Sequence, residues 1–215
     1  MHLDKLAIFV MLGGLLSLPA SADSFLTFNQ PTDGSYLSST TNYGGGDGSG
    51  AATGSLGVFT FSSSLQQNSV PGSWSTWSCP PASESCTPNI LWNTGNSSLT
   101  LTLTGQNATA GFELEPDEFQ AESVTASFYN QSDALIGAIT LVPNGSNGAL
   151  LFALQDTTSG SWIGSIQITD AAGDDFALAQ LRAGGGATPI PEPATMLLVG
   201  GCLVAVSVFR RKLVR

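Results

Sequence analysis

The feature that most constrains the fold of this chain is a two-residue alternation of apolar and hydroxyl-bearing side chains. Residues 99–104 alternate leucine with threonine, and residues 124–129 alternate Val, Ala and Phe with Thr, Ser and Tyr. This period puts one set of side chains on each face of an extended strand. The apolar and polar patterns predict further strands over residues 57–61, 111–115, 134–142, 149–154, 161–168 and 175–182.

Turn-forming residues separate these strands, in the stretches 104–107, 115–117, 143–145 and 172–174. The body has no 3.6-residue apolar stripe with helix caps. Eight or so short strands at regular spacing therefore predict an all-β fold, an antiparallel β-sandwich of the jelly-roll kind. We expect this domain to span residues 23–186, which is long enough for one hydrophobic core.

The predicted domain begins with a segment rich in Gly and Ser, and residues 44–50 read Gly-Gly-Gly-Asp-Gly-Ser-Gly. A phosphate-binding loop would end in Gly-Lys-Ser/Thr, and a dinucleotide-binding turn would lie between a strand and a helix. Calcium-binding nonapeptides occur in tandem copies and would need Asp at position 50. We therefore interpret this segment as a flexible loop.

Charged residues are few, and within residues 23–186 almost all of them are acidic. Of the 16 Asp and Glu residues, only Asp4 and Glu192 lie outside residues 23–186, and Arg182 is the only base within that span. Such a surface repels phosphate backbones and anionic lipids, so nucleic acid is excluded as a partner. The single histidine is His2, which excludes histidine-dependent catalysis or metal binding in the body.

Residues 1–22 have the pattern of a secretory signal peptide. Lys5 precedes an apolar run over residues 6–18, and Ala20 and Ala22 are the small residues that signal peptidase reads. The apolar run has about 13 residues, fewer than the roughly 20 that a membrane-spanning helix needs. We predict cleavage after Ala22.

A second, different pattern occupies residues 187–215. Pro191, Glu192 and Pro193 precede an apolar run over residues 196–209, which predicts a short transmembrane helix. A basic cluster follows that marks the cytoplasmic side, formed by Arg210, Arg211 and Lys212 with Arg215. Residues 194–209 would extend about 24 Å as a helix, short for a permanent anchor.

These three parts, in this order at the terminus, resemble the PEP-CTERM sorting signal of Gram-negative bacteria. The resemblance implies recognition by an exosortase, a membrane cysteine transpeptidase. It further implies transient insertion in the inner membrane, removal of the helix, and delivery to the cell envelope, cell surface or extracellular space. The resemblance also implies a bacterial host that makes extracellular polysaccharide. A plain tail anchor is the alternative.

Cys79 and Cys86 are separated by six residues. Export places them in an oxidising compartment, where a structural disulfide is the expected state. A zinc site would need more ligands and finds no histidine in the body. Cys202 lies in the apolar run near the terminus and should leave with it.

Two stretches of the body resemble β-sandwich domains found with this sorting signal. Residues 111–116 resemble an early core strand with its exit turn, and residues 173–178 resemble the final strand, which is also similar to the last strand of MAM-type jelly rolls. The final strand of those domains continues with an acidic pair. Ala179 and Gln180 stand at that place here, so the resemblance does not carry over a calcium or ligand role of that pair.

Glu113 and Glu115 lie two apart on a predicted strand, so their side chains share a face about 7 Å apart. That separation is within the range of the carboxylate pairs of inverting glycosidases. The polar set of an alternating strand usually faces water, however, so we interpret both residues as solvated charges at a strand edge.

Two further acidic groups lie in predicted turns. Asp117, Glu118 and Glu122 follow Pro116 and either cap a helical turn or solubilise a loop. The second group offers hard oxygen ligands for a structural calcium ion and consists of Asp170, Asp174 and Asp175. Calcium is the one cofactor for which the sequence offers ligands.

The tryptophans are the remaining candidates for ligand contact. Indole rings can stack on sugars but more often fill the core of a sandwich; the four are Trp74, Trp77, Trp92 and Trp162. Four Asn-x-Ser/Thr sequons are compatible with surface loops and begin at Asn96, Asn107, Asn130 and Asn144.

The sequence thus predicts an exported, exosortase-sorted protein of the envelope or extracellular matrix. Its expected role is structural, adhesive or associated with exopolysaccharide, and not enzymatic. Signal peptidase and exosortase are the expected processing partners. The alternatives are a secreted carbohydrate-active enzyme that uses Glu113, Glu115 or the Asp117–Glu118 pair, and a calcium-dependent glycan-binding module.

Overall fold

A computed structural model describes residues 24–33, 36, 41–43 and 50–185. Within these ranges the chain forms strands, turns and irregular segments and contains no helix that could cross a membrane. Twelve strands occur in chain order: β1 Phe25–Phe28, β2 Thr41–Asn42, β3 Ala52–Leu56, β4 Phe59–Ser69, β5 Asn89–Trp92, β6 Ser98–Leu103, β7 Thr109–Pro116, β8 Val124–Asn130, β9 Leu135–Leu141, β10 Leu150–Asp156, β11 Ile163–Asp170 and β12 Phe176–Gly184.

All pairings are antiparallel, and ten strands follow one hydrogen-bonded path in the order β1-β10-β7-β12-β5-β4-β6-β11-β8-β9. The short strands β2 and β3 pair with β12 and β4 respectively. The path folds over at β4, because its first residues pair with β6 and its last residues, Gln66–Ser69, pair with β5. The result is a first layer of β1, β10, β7, β12 and β5 and a second layer of β4, β6, β11, β8 and β9.

The main core lies between the two layers. The first layer contributes Phe112, Phe152 and Leu178, and the second contributes Leu101 and Phe128, all fully buried. The rings of Phe112 and Phe152 stack with their centroids 5.6 Å apart. One apolar face from each layer therefore encloses the core, as the two-residue alternation requires.

The strands at the two ends of the path come close together. A Cβ atom added to Gly137 of β9 would lie 2.8 Å from the ring of Phe25 on β1. Glycine at this position thus allows the close approach of the edge strands.

The predicted all-β sandwich is confirmed. Each of the eight predicted strands corresponds to an observed one, although β4 continues eight residues beyond the predicted end, from 61 to 69. β1, β2, β3 and β5 were not predicted. β5 has only four residues, and its central residues Ile90 and Leu91 are both buried on opposite faces, so it has no alternation to detect.

Candidate functional site

The first layer has a second covered face, on the side away from the main core. Ala110, Phe112 and Leu114 of β7 point into the core, and the alternate residues Glu113 and Glu115 point to this outer side. Every residue of β7 is nevertheless buried. Residues 70–88, which we call the flap, cover this outer side.

An irregularity in β12 puts Arg182 on the same outer side. Ala179 pairs with Glu113, and Arg182 pairs with Gly111, so β12 uses one more residue than β7 between these points. Gln180 takes a left-handed conformation there, with φ of 51°. Because a one-residue slip exchanges the faces of a strand, this bulge turns Leu181 into the main core and Arg182 out of it.

Glu113 lies at the centre of the covered face and accepts hydrogen bonds on both carboxylate oxygens. The indole Nε1 of Trp77 donates to Oε2 at 3.1 Å, and the backbone N–H of Glu84 donates to Oε1 at 2.8 Å. Glu113 is 1% exposed and Trp77 is 2% exposed. Its neighbours on the adjacent strands, Leu151 and Ala179, are apolar and offer no side-chain donor. Both of these hydrogen bonds therefore come from the flap.

Glu115 repeats this arrangement two residues along β7. The indole Nε1 of Trp74 donates to Oε2 at 3.0 Å, while Oε1 accepts from the hydroxyl of Thr76 and the backbone N–H of Gly148, both at 3.3 Å. Glu115 is fully buried, and Ala177 lies beside it on β12. Each glutamate therefore binds one tryptophan of the flap.

A disulfide between Cys79 and Cys86 holds the flap in its folded form, as predicted. Ser83, inside the disulfide loop, donates to the backbone oxygen of Ser78 at 2.7 Å. Ser78 donates in turn to the backbone oxygen of Ala149 at 2.8 Å. These bonds tie the loop to the start of β10.

Arg182, the only base among residues 23–186, lies on this covered face and contacts two of its residues. Its guanidinium forms an ion pair with Glu84 of the flap and lies 5.3 Å from the ring centroid of Tyr36. A Cβ atom on Gly111 would lie 2.6 Å from the Tyr36 hydroxyl, so glycine leaves room for that ring. Tyr36 is buried, and burial raises the pKa of its hydroxyl.

Burial also changes the acidity of the two glutamates. It raises the pKa of Glu113 to about 7, while the hydrogen bond from Trp77 favours the charged form and opposes this change. Burial likewise raises the pKa of Glu115, against the donors Trp74, Gly148 and Thr76. For both carboxylates the loss of hydration on burial outweighs the hydrogen bonds that favour the charged form.

The interpretation of Glu113 and Glu115 as solvated edge charges is wrong. β7 lies between β10 and β12 and is not an edge strand, and the flap removes its outer side from water. The alternation correctly predicted that the two side chains share a face. It held no information that the flap, a separate segment earlier in the chain, covers that face.

The tryptophans divide between buried and partly exposed positions. Trp74 and Trp77 are buried beneath the flap, whereas Trp92 and Trp162 are half-buried. The rings of Trp74 and Trp92 pack edge to face with centroids 5.9 Å apart. The stacking platform considered for Trp74 and Trp77 is thus enclosed within the protein.

The acidic turns occupy one end of the sandwich. Asp175 accepts at Oδ2 from the indole of Trp92 at 3.1 Å and from the backbone N–H of Gly95 at 2.8 Å. Asp117 is half-buried, and burial together with Asp175 raises its pKa. Glu118 is exposed.

Glu122 and Asp170 form a buried pair of acids at the same end. Each is 3% exposed, and burial and the contact with Asp170 raise the pKa of Glu122 to about 7. Gln120 donates to Oε1 of Glu122 at 3.2 Å, and the N–H of Ala172 donates to Oδ1 of Asp170 at 2.8 Å. A proton held by Glu122 would relieve the repulsion between the two acids.

The described part of the chain holds no group of three or more His, Cys, Asp or Glu side chains arranged to bind a metal ion. Asp175 is bonded to Trp92, and Asp170 contacts Glu122. Calcium at Asp170, Asp174 and Asp175 thus stays a prediction from the sequence.

The predicted sequons occupy different environments. Asn96 is exposed, and Asn130 and Asn144 are half-buried. Asn107 lies in the turn between β6 and β7 and is buried, with its side-chain amide donating to the backbone oxygen of Thr104 at 3.0 Å.

The outer side of the second layer forms a second extended surface, which we call the open face. Its side chains are exposed or half-buried and are mostly hydroxyls. They are Thr60 and Ser62 of β4, Ser98, Thr100 and Thr102 of β6, Ser165, Gln167 and Thr169 of β11, Thr125, Ser127 and Tyr129 of β8, and Leu135, Ala138 and Thr140 of β9.

The predicted processing sites lie outside the described residues. These are the signal cleavage residues Ala20 and Ala22, the motif Pro191-Glu192-Pro193, the apolar helix, and the basic residues Arg210, Arg211 and Lys212.

Comparison with known families defines the class of this protein. The family model described as the PEP-CTERM protein-sorting motif matches residues 189–212. The chain therefore carries this sorting motif, which implies export and exosortase-dependent sorting at the membrane of a Gram-negative bacterium. A comparison with curated proteins found no match.

Similarity to solved structures is distant. The enzymatically active domain of tailspike protein 4 from bacteriophage CBA120 is 13% identical over 59% of this chain and 19% of its own, with a TM-score of 0.33. An arabinose-bound GH51 α-L-arabinofuranosidase is 12% identical over 59% of this chain and 23% of its own, with a TM-score of 0.36. The chain thus spans about a fifth of each. A family 29 carbohydrate-binding module is 14% identical over 79% of this chain and 99% of its own, with a TM-score of 0.30.

Proposed function

We propose that this protein is a non-enzymatic structural or adhesive component of the cell envelope or extracellular matrix, where it contacts exopolysaccharide. The observation that carries the proposal is a sorting motif at residues 189–212 joined to a disulfide-closed β-sandwich. The motif accounts for delivery, and the disulfide suits an oxidising environment. Signal peptidase is the second processing partner in this proposal.

The state of the two glutamates supports a role other than catalysis. A general acid or nucleophile must reach the substrate, yet the carboxylates of Glu113 and Glu115 are buried and already accept bonds from the flap. Their donors and the surrounding packing make up a structural unit that holds the flap on the sheet.

Intact-mass and terminal-peptide analysis of the protein from fractions of its native host tests delivery. We expect a mature form in the envelope or medium that begins at Asp23 and ends within residues 191–195. Additional mass would report attached glycan or lipid. A form that still ends at Arg215 in the inner membrane would contradict the proposal and favour a plain tail anchor.

A carbohydrate-active enzyme is the second candidate, favoured by the pKa of about 7 for Glu113, which suits a general acid. Glu113→Gln, Glu115→Gln and Asp117→Asn should be compared with the parent protein on polysaccharides from the host. We expect no hydrolysis by any of them. Hydrolysis that depends on one carboxylate would overturn the non-enzymatic assignment.

A calcium-dependent glycan-binding module is tested by thermal unfolding with calcium and with a chelator. It predicts a calcium-induced rise in the melting temperature that Asp174→Ala or Asp175→Ala removes. An unchanged melting temperature would exclude this alternative.

A further inference from the structure

The open face stands out because none of its residues carries an acidic or basic side chain, although the body is strongly acidic. We propose that the open face binds an extended, neutral polysaccharide chain. This inference deepens the proposed function and rests on it for delivery of the domain outside the cell. It names both the surface that meets the glycan and the chemical class of that glycan.

The strand register arranges the polar groups of the open face in three rows across the sheet. They are Thr60-Thr102-Ser165-Tyr129, then Thr100-Gln167-Ser127, which ends at the apolar Ala138, and then Ser98-Thr169-Thr125-Thr140. Neighbouring strands lie about 4.8 Å apart and successive rows about 7 Å apart. The face thus offers a regular array about 19 Å across five strands.

The chemistry of these rows matches a polymer of sugar hydroxyls. Each Ser or Thr hydroxyl can both donate and accept a hydrogen bond, and Gln167 adds an amide that does the same. At one corner, Tyr129 pairs in register with Leu135, which is 54% exposed. An aromatic ring beside an aliphatic side chain offers the apolar contact that the C–H face of a sugar ring requires.

Charge selects among the possible partners. A cationic partner would find no carboxylate on the open face, and an anionic partner would find no base there and an acidic body around it. The only base of the body, Arg182, is engaged with Glu84 on the covered face. A neutral polar polymer is the class that meets neither repulsion nor an unpaired charge.

A second copy of this chain is a poorer fit to the same surface. Stable protein interfaces contain a core of apolar and aromatic side chains. Besides the ring of Tyr129, the open face has only Leu135, at a corner, and Ala138. Its hydroxyls would lose water on dimerisation without apolar burial to compensate.

The open face is also held rigidly from beneath. The alternate residues of its strands, including Leu101, Phe128 and Ile166, are fully buried in the main core. Some hydroxyls are already oriented by each other, as in the 2.9 Å bond between Thr125 and Thr140. A fixed array loses less entropy on binding than flexible loops do.

The test is a depletion assay with the processed protein purified from its exporting host. The neutral probes are microcrystalline cellulose and cross-linked dextran, and the charged probes are alginate and chitosan. Ser127→Glu and Ser127→Lys place opposite charges at the centre of the second row. Gln167→Glu is a second acidic variant in the same row, in case Ser127→Glu does not fold. Ser159→Glu, in the exposed turn after β10, is the matched control.

We expect the parent protein and Ser159→Glu to bind at least one neutral glucan equally, with little dependence on salt. Both Ser127 variants should lower binding at least tenfold, because either charge would have to be desolvated against the glycan. Opposite effects of Glu and Lys would instead identify an ionic partner and overturn the proposal. Equal binding by all variants would locate the glycan elsewhere on the molecule.

Absence of neutral-glucan binding by the parent protein would also overturn this inference. Concentration-dependent dimerisation that the Ser127 variants abolish would favour a second copy as the occupant. These binding outcomes are read separately from the terminal-peptide analysis that tests the proposed function. A protein with correct termini in the envelope that ignores both glucans would therefore refute the open-face proposal alone.

Discussion

The two outer faces of this sandwich are built from strands of the same kind but are used in opposite ways. The covered face has Glu113, Glu115 and Arg182 and is closed by a flap of two indoles and a disulfide. The open face has mostly hydroxyls with one amide and no acidic or basic side chain, and its strand pairings shift register by one residue at Ser165 and again at Tyr129. Charge is thus placed where it is buried and bonded, and neutral polar groups are placed where water reaches them.

This difference shows that an alternating strand does not itself report which side faces solvent. A polar residue on the outer side is inexpensive at Thr102, which is exposed, and costly at Glu113, which is buried. The cost at Glu113 is offset only because the flap donates two hydrogen bonds to it. Loss of flap contacts should therefore destabilise the protein far more than loss of open-face contacts.

The largest effect is expected at Trp77. Trp77→Ala removes a buried indole and leaves Oε2 of Glu113 without its donor, so the free energy of unfolding should fall by about 3–5 kcal/mol. Trp77→Phe keeps most of the packing and should lower it by about 1–3 kcal/mol, the cost of an unsatisfied buried acceptor. Urea unfolding measures both, with Tyr129→Ala on the open face as the matched aromatic control. Equal losses at the two sites would refute the contrast between the faces.

Much of the fold could be predicted from the sequence, because the buried alternation in strands such as β6, β8 and β11 is a local signal. The disulfide followed from two cysteines in an exported chain. The bulge at Gln180 could not be predicted, since it depends on which face of β12 packs against β7. The burial of Glu113 depends on the flap, whose only local signals were two tryptophans and a disulfide loop.

The second prediction concerns pH. The pKa of Glu113 rises from 4.5 to about 7 on folding, so the folded protein retains a proton that the unfolded chain releases. Stability from this group is complete below pH 4.5 and is lost as the pH rises to about 7. At about 1.4 kcal/mol per tenfold change in proton affinity, the loss is on the order of 3 kcal/mol.

Urea unfolding at a series of pH values measures this loss. Glu113→Gln should flatten the profile of stability against pH. The pKa of Glu122 is also raised to about 7, so Glu122 adds a second loss of stability over the same pH range, and Glu122→Gln should remove it. A parent protein that becomes more stable between pH 4.5 and 7 would contradict both assignments.

The third prediction concerns the disulfide of the flap. Replacing Cys79 and Cys86 together by serine frees a loop of eight residues, and chain entropy gives a loss of about 2.5 kcal/mol. We also expect faster hydrogen exchange at the N–H of Glu84, which donates to Glu113 from inside the loop. The N–H groups of β6 should exchange at rates changed only by the global loss of stability. Uniform changes would mean that the flap does not open separately.

The smallest effect is expected on the open face, where Thr125 and Thr140 bond to each other across β8 and β9. Replacing both by valine keeps the branched shape that suits a strand and removes a solvent-accessible hydroxyl pair, so stability should change by no more than about 0.5 kcal/mol. Ala177→Val on the covered face is the smaller chemical change, because it adds two methyl groups and removes no polar group. Yet Ala177 lies beside Glu115 under the flap, and overpacking there should cost about 1–3 kcal/mol. A larger loss for the double valine variant than for Ala177→Val would show that the hydroxyl rows are needed to hold the sandwich together. Near-neutral stability together with altered glucan retention would instead show that these rows contribute to glycan binding and not to the stability of the sandwich.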